Sequence, residues 1–131
     1  MRLGLDIDDT ISASPKYYAD LSRKVKERGG RVIIISSRSE TPDVREITSN
    51  ELNDWNIKFD KLYLFKSLDD VKHLCPYKNL GDYNTLLWQK LHYCIAESIE
   101  QYHDDDSVVI RLFKSYLPSV EVIDSKNIID S

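Results

Sequence analysis

The chain has 131 residues, 41% hydrophobic and 31% charged, which suffices for one buried core and is expected to form one domain over 1–131. A formal net charge of −4 disfavours a general nucleic-acid binder, although a local basic patch could coexist with it. No apolar run approaches the roughly 18–20 residues of a membrane span, no signal-peptide pattern opens the chain, and Cys75 and Cys94 provide no disulfide framework, so a reduced, cytoplasmic setting is expected.

Leu3 to Ile7 reads as a first strand, buried on both faces. It delivers Asp6 and Asp8, one residue apart, at or just past its C-terminal edge, with the Thr10 hydroxyl close behind. Ligands of open α/β sheets bind at that edge. Asp6, Asp8 and Asp9 repel one another and make sense if a cation neutralises them. Asp6 and Asp8 then read as a nucleophile and an acid/base around bound Mg2+.

Ser14-Pro15 looks like an N-cap followed by proline at the first helical position, and Tyr18, Leu21 and Val25 follow at helical spacing up to Gly29-Gly30. The β-branched run Val32-Ile33-Ile34-Ile35 predicts a central parallel strand, which completes a βαβ unit. Thr41-Pro42 starts a second helix with Val44, Ile47 or Thr48, Leu52 and Trp55 inward, and Thr48 to Glu51 could restart it as a capping box. Leu62 to Phe65 is the third strand.

Residues 66–86 are poorly patterned, with Leu68, Val71 and Leu74 fitting a short helix broken at Cys75-Pro76. Leu86 to Ile95 reads as a helix with Leu87, Leu91, Cys94 and Ile95 inward. Glu100 to His103 is a weak strand, Ser107 caps a helix carrying Val109, Leu112, Phe113 and Tyr116, and Val120 to Ile123 is the last strand. The tail after Asp124 is expected on the surface. This alternation predicts a three-layer αβα, Rossmann-like fold around a mainly parallel five-stranded sheet.

In a parallel sheet the strand ends converge. Asp6 and Asp8, then Ser36 with Arg38, then Asp104 and Asp105 should meet there, joined by Lys90 from the preceding helix. Carboxylates, a hydroxyl and an ammonium suit a phosphoryl group held with Mg2+. These four features resemble the motifs of haloacid dehalogenase (HAD) superfamily phosphatases. The first motif is Asp6-Ile7-Asp8-Asp9-Thr10, the second Ile33-Ile34-Ile35-Ser36, the third Lys90, and the fourth Asp104-Asp105.

The resemblance implies that Asp6 attacks phosphorus and that Asp8 protonates the leaving oxygen and then activates water. It implies that Ser36 and Lys90 bind phosphate. The Asp6 carboxylate, the Asp8 backbone carbonyl and Asp104 or Asp105 would hold Mg2+. Arg38 could bind phosphate or form a surface ion pair. Asp9 stands where a glycine is common in the family, and Ser37 replaces a glycine often found before Arg38. The spacings leave no room for a folded cap, so a small capless phosphatase is implied, with an open site.

The expected partner is a phosphorylated small molecule, a nucleotide or a macromolecular phosphate, with no membrane. The second and third motifs also resemble the phosphatase half of polynucleotide kinases, which makes a polynucleotide 3′-phosphatase the alternative. The acidic charge counts against nucleic acid. A phosphate-binding or regulatory relative without catalysis is a further alternative, and the oligomeric state is left open. A receiver-type signalling domain fits poorly, because the third strand runs into Lys66 with no aspartate.

His103 reads as a satisfied strand histidine, Asp106 as a turn or helix N-terminal acid, and Cys94 as core. Tyr63, Phe65, Tyr77, Tyr83 and Trp88, interleaved with Lys61, Lys66, Lys72 and Lys78, could form a recognition surface. Core aromatics with solvated lysines are the simpler reading.

Overall fold

A computed structural model describes residues 1–128. Strands β1 (Arg2–Leu5), β2 (Arg31–Ser39), β3 (Lys61–Phe65), β4 (Gln101–Asp104) and β5 (Glu121–Asp124) form one parallel sheet in the order β3-β2-β1-β4-β5. Helices α1 (Pro15–Glu27) and α2 (Pro42–Asp54) supply the elements between β1, β2 and β3. The short α3 (Leu68–Val71) and the longer α4 (Asp82–Ala96) follow β3, and α5 (Ser107–Tyr116) links β4 to β5.

The two faces of the sheet bury separate cores. Leu3, Leu5, Val32 and Ile34 pack with Tyr18, Val25 and Leu52 from α1 and α2. Ile33, Ile35 and Tyr102 pack with Leu87, Leu91, Val109 and Phe113 from α4 and α5. Period-two alternation of side chains explains how the unbroken Val32–Ile35 run serves both layers. The architecture is therefore the expected three-layer αβα sandwich. The strand order reverses between β1 and β4, which sets a crevice at the C-terminal edge of those two strands.

Gly4 makes the β1–β4 contact possible. A Cβ at that position would lie 2.8 Å from Tyr102 Cδ1, a distance that real side chains do not reach.

Several boundaries differ from the pattern-based expectation. β1 ends at Leu5, and Ile7 opens an irregular turn over Ile7–Ile11 rather than closing the strand. Ser14 makes no side-chain cap, so the proline alone marks the start of α1, whereas Thr41 caps α2 by accepting from the Val44 N–H. α2 is continuous, with no restart at Thr48; Thr48 is buried and Ile47 exposed. α4 begins at Asp82 rather than Leu86, because its polar first turn carries no apolar period to announce it. Ile95, expected inward, is 55% exposed. α5 is capped by Asp106, whose carboxylate accepts from the Val108 N–H, and not by Ser107. The segment after β5 does not simply lie on the surface, since Ser125 is buried; residues 129–131 lie outside the described residues. Among the described residues no helix is long and apolar enough to cross a membrane.

Candidate active site

The turn after β1 aims its acidic residues in two directions. The Asp6 N–H donates to the His103 carbonyl at 3.0 Å, which seats Asp6 between β1 and β4 at the crevice. The chain then leaves helical geometry at Asp8 and Asp9, and the Ser12 N–H closes the turn on the Ile7 carbonyl at 3.0 Å. Asp9 has φ 61°, the left-handed region that favours glycine and that Asp tolerates better than most residues. Its N–H donates to Ser12 Oγ at 2.8 Å, which helps hold this conformation. The departure from glycine at this position is thus accommodated locally.

The first cluster is buried. Lys90 Nζ donates to Asp6 Oδ1 at 2.9 Å and to Asp104 Oδ2 at 2.6 Å, and all three side chains are almost fully enclosed. Thr10 Oγ1 lies 3.1 Å from Asp6 Oδ2 and 3.3 Å from Asp105 Oδ1. Its single proton can serve only one of these acceptors at a time. Ser125 Oγ lies 2.9 Å from Thr10 Oγ1. Tyr102 donates to Asp104 Oδ2 at 2.6 Å, and the Asp106 N–H donates to Asp104 Oδ1 at 2.9 Å.

One ammonium, bonded to Asp6 and Asp104 with Asp105 close by, leaves excess negative charge. Burial pushes the Asp6 carboxyl up to about 7, and the Asp104 charge adds to this while Lys90 opposes it. Burial works against the Lys90 charge, but Asp6 and Asp104 outweigh it and hold the ammonium above its usual range. One oxygen from each of Asp6, Asp104 and Asp105 falls within 4.8 Å of the others. Hard carboxylate oxygens with uncompensated charge fit a hard divalent cation such as Mg2+. The Asp8 carboxylate stands outside this group, so the metal role expected of Asp8 rests on its backbone carbonyl.

The second cluster is more open. Arg38 Nε donates to Asp8 Oδ2 at 3.0 Å and Nη2 to Asp8 Oδ1 at 2.9 Å. On its other side Arg38 donates to Glu51 Oε1 at 3.0 Å and to Thr48 Oγ1 at 3.1 Å. The hydrogen bonds from Arg38 hold the Asp8 carboxyl below its ordinary value.

A register shift explains how Arg38 reaches this position. Ser36 pairs with Leu64 but Ser39 pairs with Phe65, so Ser37 and Arg38 are extra on β2. Bulges of this kind re-aim side chains beside active sites. Ser36 is fully buried, and its Oγ accepts the Arg38 N–H at 3.1 Å, leaving its proton free to donate.

Asp6, Lys90, Asp104 and Asp105 therefore meet at one point, while Asp8, Arg38 and Ser36 form a neighbouring unit. The sequence gives no site role to Tyr102, Glu51 or Ser125. Tyr102 could have been found from its position two residues before Asp104 on one strand face. Glu51 reads in the sequence as a capping acid, and no sequence signal marks Ser125. His103 is satisfied between the Tyr18 hydroxyl at 3.0 Å and Gln101 Oε1 at 2.8 Å. Of the aromatic residues interleaved with lysines, Phe65 and Trp88 are core, Tyr63 stacks on Tyr93, and Tyr77 and Tyr83 are exposed.

No family model and no curated protein sequence matches the chain. Solved structures do. A chain in the structure of the Pnkp1/Rnl/Hen1 RNA repair complex matches with a TM-score of 0.65 and 19% identity over 93% of this chain. A chain of a second Pnkp1/Rnl/Hen1 complex structure matches with a TM-score of 0.61 and 17% identity, again over 93%. The present chain spans 41% and 44% of those two chains. At this identity the likeness is one of fold.

Proposed function

We propose that the chain is a HAD-type phosphomonoester hydrolase that depends on Mg2+. The observation that carries this reading is the buried Lys90 ammonium, 2.9 Å from Asp6 and 2.6 Å from Asp104, beside an acidic group suited to a hard cation. Asp6, Asp104 and Asp105 would hold the ion, with the Asp8 carbonyl. When bound, the ion would neutralise charge on the carboxylates and on the phosphoryl oxygens.

In this reading Asp6 Oδ attacks phosphorus, the ester P–O bond breaks, and an aspartyl-phosphate forms. Lys90 holds the attacking carboxylate in place and offsets charge on the phosphoryl group. Ser36 donates its free hydroxyl proton to a phosphoryl oxygen. Asp8 gives a proton to the leaving oxygen, then removes one from the water that hydrolyses the aspartyl-phosphate. Paired with Arg38, Asp8 is held as an anion, which suits the second step. For the first step Asp8 leaves Arg38, takes up a proton from solvent or from a phosphate monoanion and gives it to the leaving oxygen, while Arg38 turns to the phosphoryl group; the proton that Asp8 then takes from water restores its acid form for the next turnover.

The test is turnover of an aryl phosphate panel with Mg2+. Activity should vanish with EDTA and in Asp6→Asn, which retains the fold. Absence of turnover on nucleotides, sugar phosphates and 3′-phosphorylated oligonucleotides alike would overturn the assignment and favour a phosphate-binding role. A second reading, a polynucleotide 3′-phosphatase, gains support from the fold shared with chains of an RNA repair complex. The net charge of −4 weighs against it.

A further inference from the structure

Beside the bulge of β2 lies a cleft of about 900 Å3 whose lining includes Ser37, Ser39, Phe65, Lys66, Ser67 and Leu86. The carboxylates of the buried cluster do not line it. Ser37, on its wall, sits between the buried Ser36 and Arg38 and, like Arg38, has no partner on β3. The cleft thus begins where the phosphoryl group would end, at the C-terminal edge of β2 and β3.

Its walls offer hydroxyls, the apolar edges of Phe65 and Leu86, and one ammonium. Two carboxylates also face it, Glu40 and Asp70. Glu40 is engaged by Arg45, which donates to it at 3.0 and 2.6 Å. Asp70 accepts from Ser67 Oγ at 3.0 Å. The Lys66 ammonium has no hydrogen-bond or ion-pair partner among the described residues, apart from a through-space attraction to Glu40.

Its backbone, by contrast, is fixed. The Lys66 N–H donates to Gln89 Oε1 at 2.9 Å, and Gln89 Nε2 donates back to the Lys66 carbonyl at 3.0 Å. Gln89 is fully buried and precedes Lys90 in α4. The same helix therefore sets Lys90 against Asp6 and holds the root of Lys66. Asp6 follows β1 and Lys66 follows β3, two strands away, a lateral separation of about 10 Å.

We propose that this cleft receives the leaving group of the substrate, and that Lys66 binds a second phosphate carried by that leaving group. The inference rests on the phosphatase reading for what occupies the neighbouring site, but its ligand chemistry stands on the cleft itself. A second phosphate can come from the phosphodiester of a 3′-phosphorylated oligonucleotide or from a small bisphosphate.

The experiment compares a 3′-phosphorylated dinucleotide, a nucleoside 3′,5′-bisphosphate and 4-nitrophenyl phosphate on wild type, Lys66→Met and Lys66→Arg. In Lys66→Met the ratio of kcat/KM for the dinucleotide to that for the aryl phosphate should fall about tenfold, through KM, and Lys66→Arg should restore most of it. An unchanged ratio for both two-phosphate substrates overturns the inference. A drop for the dinucleotide alone identifies a phosphodiester, and a drop for the bisphosphate alone a small molecule.

Calorimetric binding of the dinucleotide to Asp6→Asn, with and without Lys66→Met, separates this inference from the phosphatase reading. If wild type turns over nothing yet binding weakens about tenfold with Lys66→Met, the cleft assignment stands and the enzyme assignment falls. If aryl phosphate is hydrolysed and Lys66→Met alters neither ratio nor binding, the reverse holds.

Discussion

Arg38 and Asp8 meet edge to edge through two hydrogen bonds, at 3.0 and 2.9 Å, although 30 positions separate them in the chain. The fork geometry needs the planar guanidinium, and a lysine cannot reproduce it. Arg38→Lys should therefore lower kcat/KM for an aryl phosphate by about 10- to 100-fold. Glu51→Gln removes one charge from behind Arg38 but leaves Asp8 and Thr48 as acceptors, so its loss should be several-fold smaller. Steady-state kinetics on both variants checks the ranking, and a larger loss in Glu51→Gln would contradict it.

A divalent cation bound by Asp6, Asp104 and Asp105 should stabilise the folded chain. At a Mg2+ concentration about 100 times the dissociation constant, the gain is about 2.7 kcal/mol. Thermal unfolding of wild type should shift upward with Mg2+ and saturate. The shift should be lost in Asp104→Asn, whose side chain keeps the shape but not the charge. An equal shift in that variant would place the ion elsewhere.

Gly4→Ala should be costly for its size. The added methyl would lie 2.8 Å from Tyr102 Cδ1, and Tyr102 holds Asp104 through a 2.6 Å hydrogen bond. Overpacking of this kind costs about 1–3 kcal/mol. Urea unfolding should show that loss, and activity should fall beyond what the lost stability explains, because Asp104 moves with the ring.

Acid should weaken the opposite edge of the sheet. Glu97 accepts from the Tyr63 hydroxyl at 2.6 Å and from Lys61 at 3.2 Å. These bonds, led by that from Tyr63, hold its carboxyl below the ordinary 4.5. A depressed carboxylate contributes stability that is fully present above the ordinary value and is lost as pH falls through the folded one. Glu97→Gln should therefore be less stable than wild type at pH 7, by about 1–3 kcal/mol, and the two should converge well below pH 4. Unfolding curves across that range check it.

Much of this arrangement is legible in the sequence because it is carried by short-range pattern. Val32 to Ile35 announces a buried strand, and prolines at 15 and 42 announce helix starts. The expectation that Asp6, Lys90 and the Asp104-Asp105 pair converge is met by the buried cluster. What escaped depends on distance through space. Arg38 could be read equally as a phosphate ligand or a surface ion pair, and only the register shift after Ser36 shows it crossing to Asp8. α4 hid its first turn behind Asp82, Tyr83 and Asn84, and Ile95 looked inward because it lies near the end of an apolar helix. Glu51 looked like a helix-capping acid because its partner lies on another element.

The contact between Thr10 and Ser125, at 2.9 Å, bears on how the site is born. Thr10 touches Asp6, and Ser125 follows the last strand of the sheet. During synthesis the first motif leaves the ribosome more than a hundred residues before the hydroxyl that packs against it. The βαβ unit of β1, α1 and β2 can gather early, but its acidic turn stays unfinished until β4 and β5 have docked. Ribosome-bound chains stopped before Ser125 should therefore carry Asp6 without a completed surround, so that the assembled cluster arrives late in the life of the nascent chain.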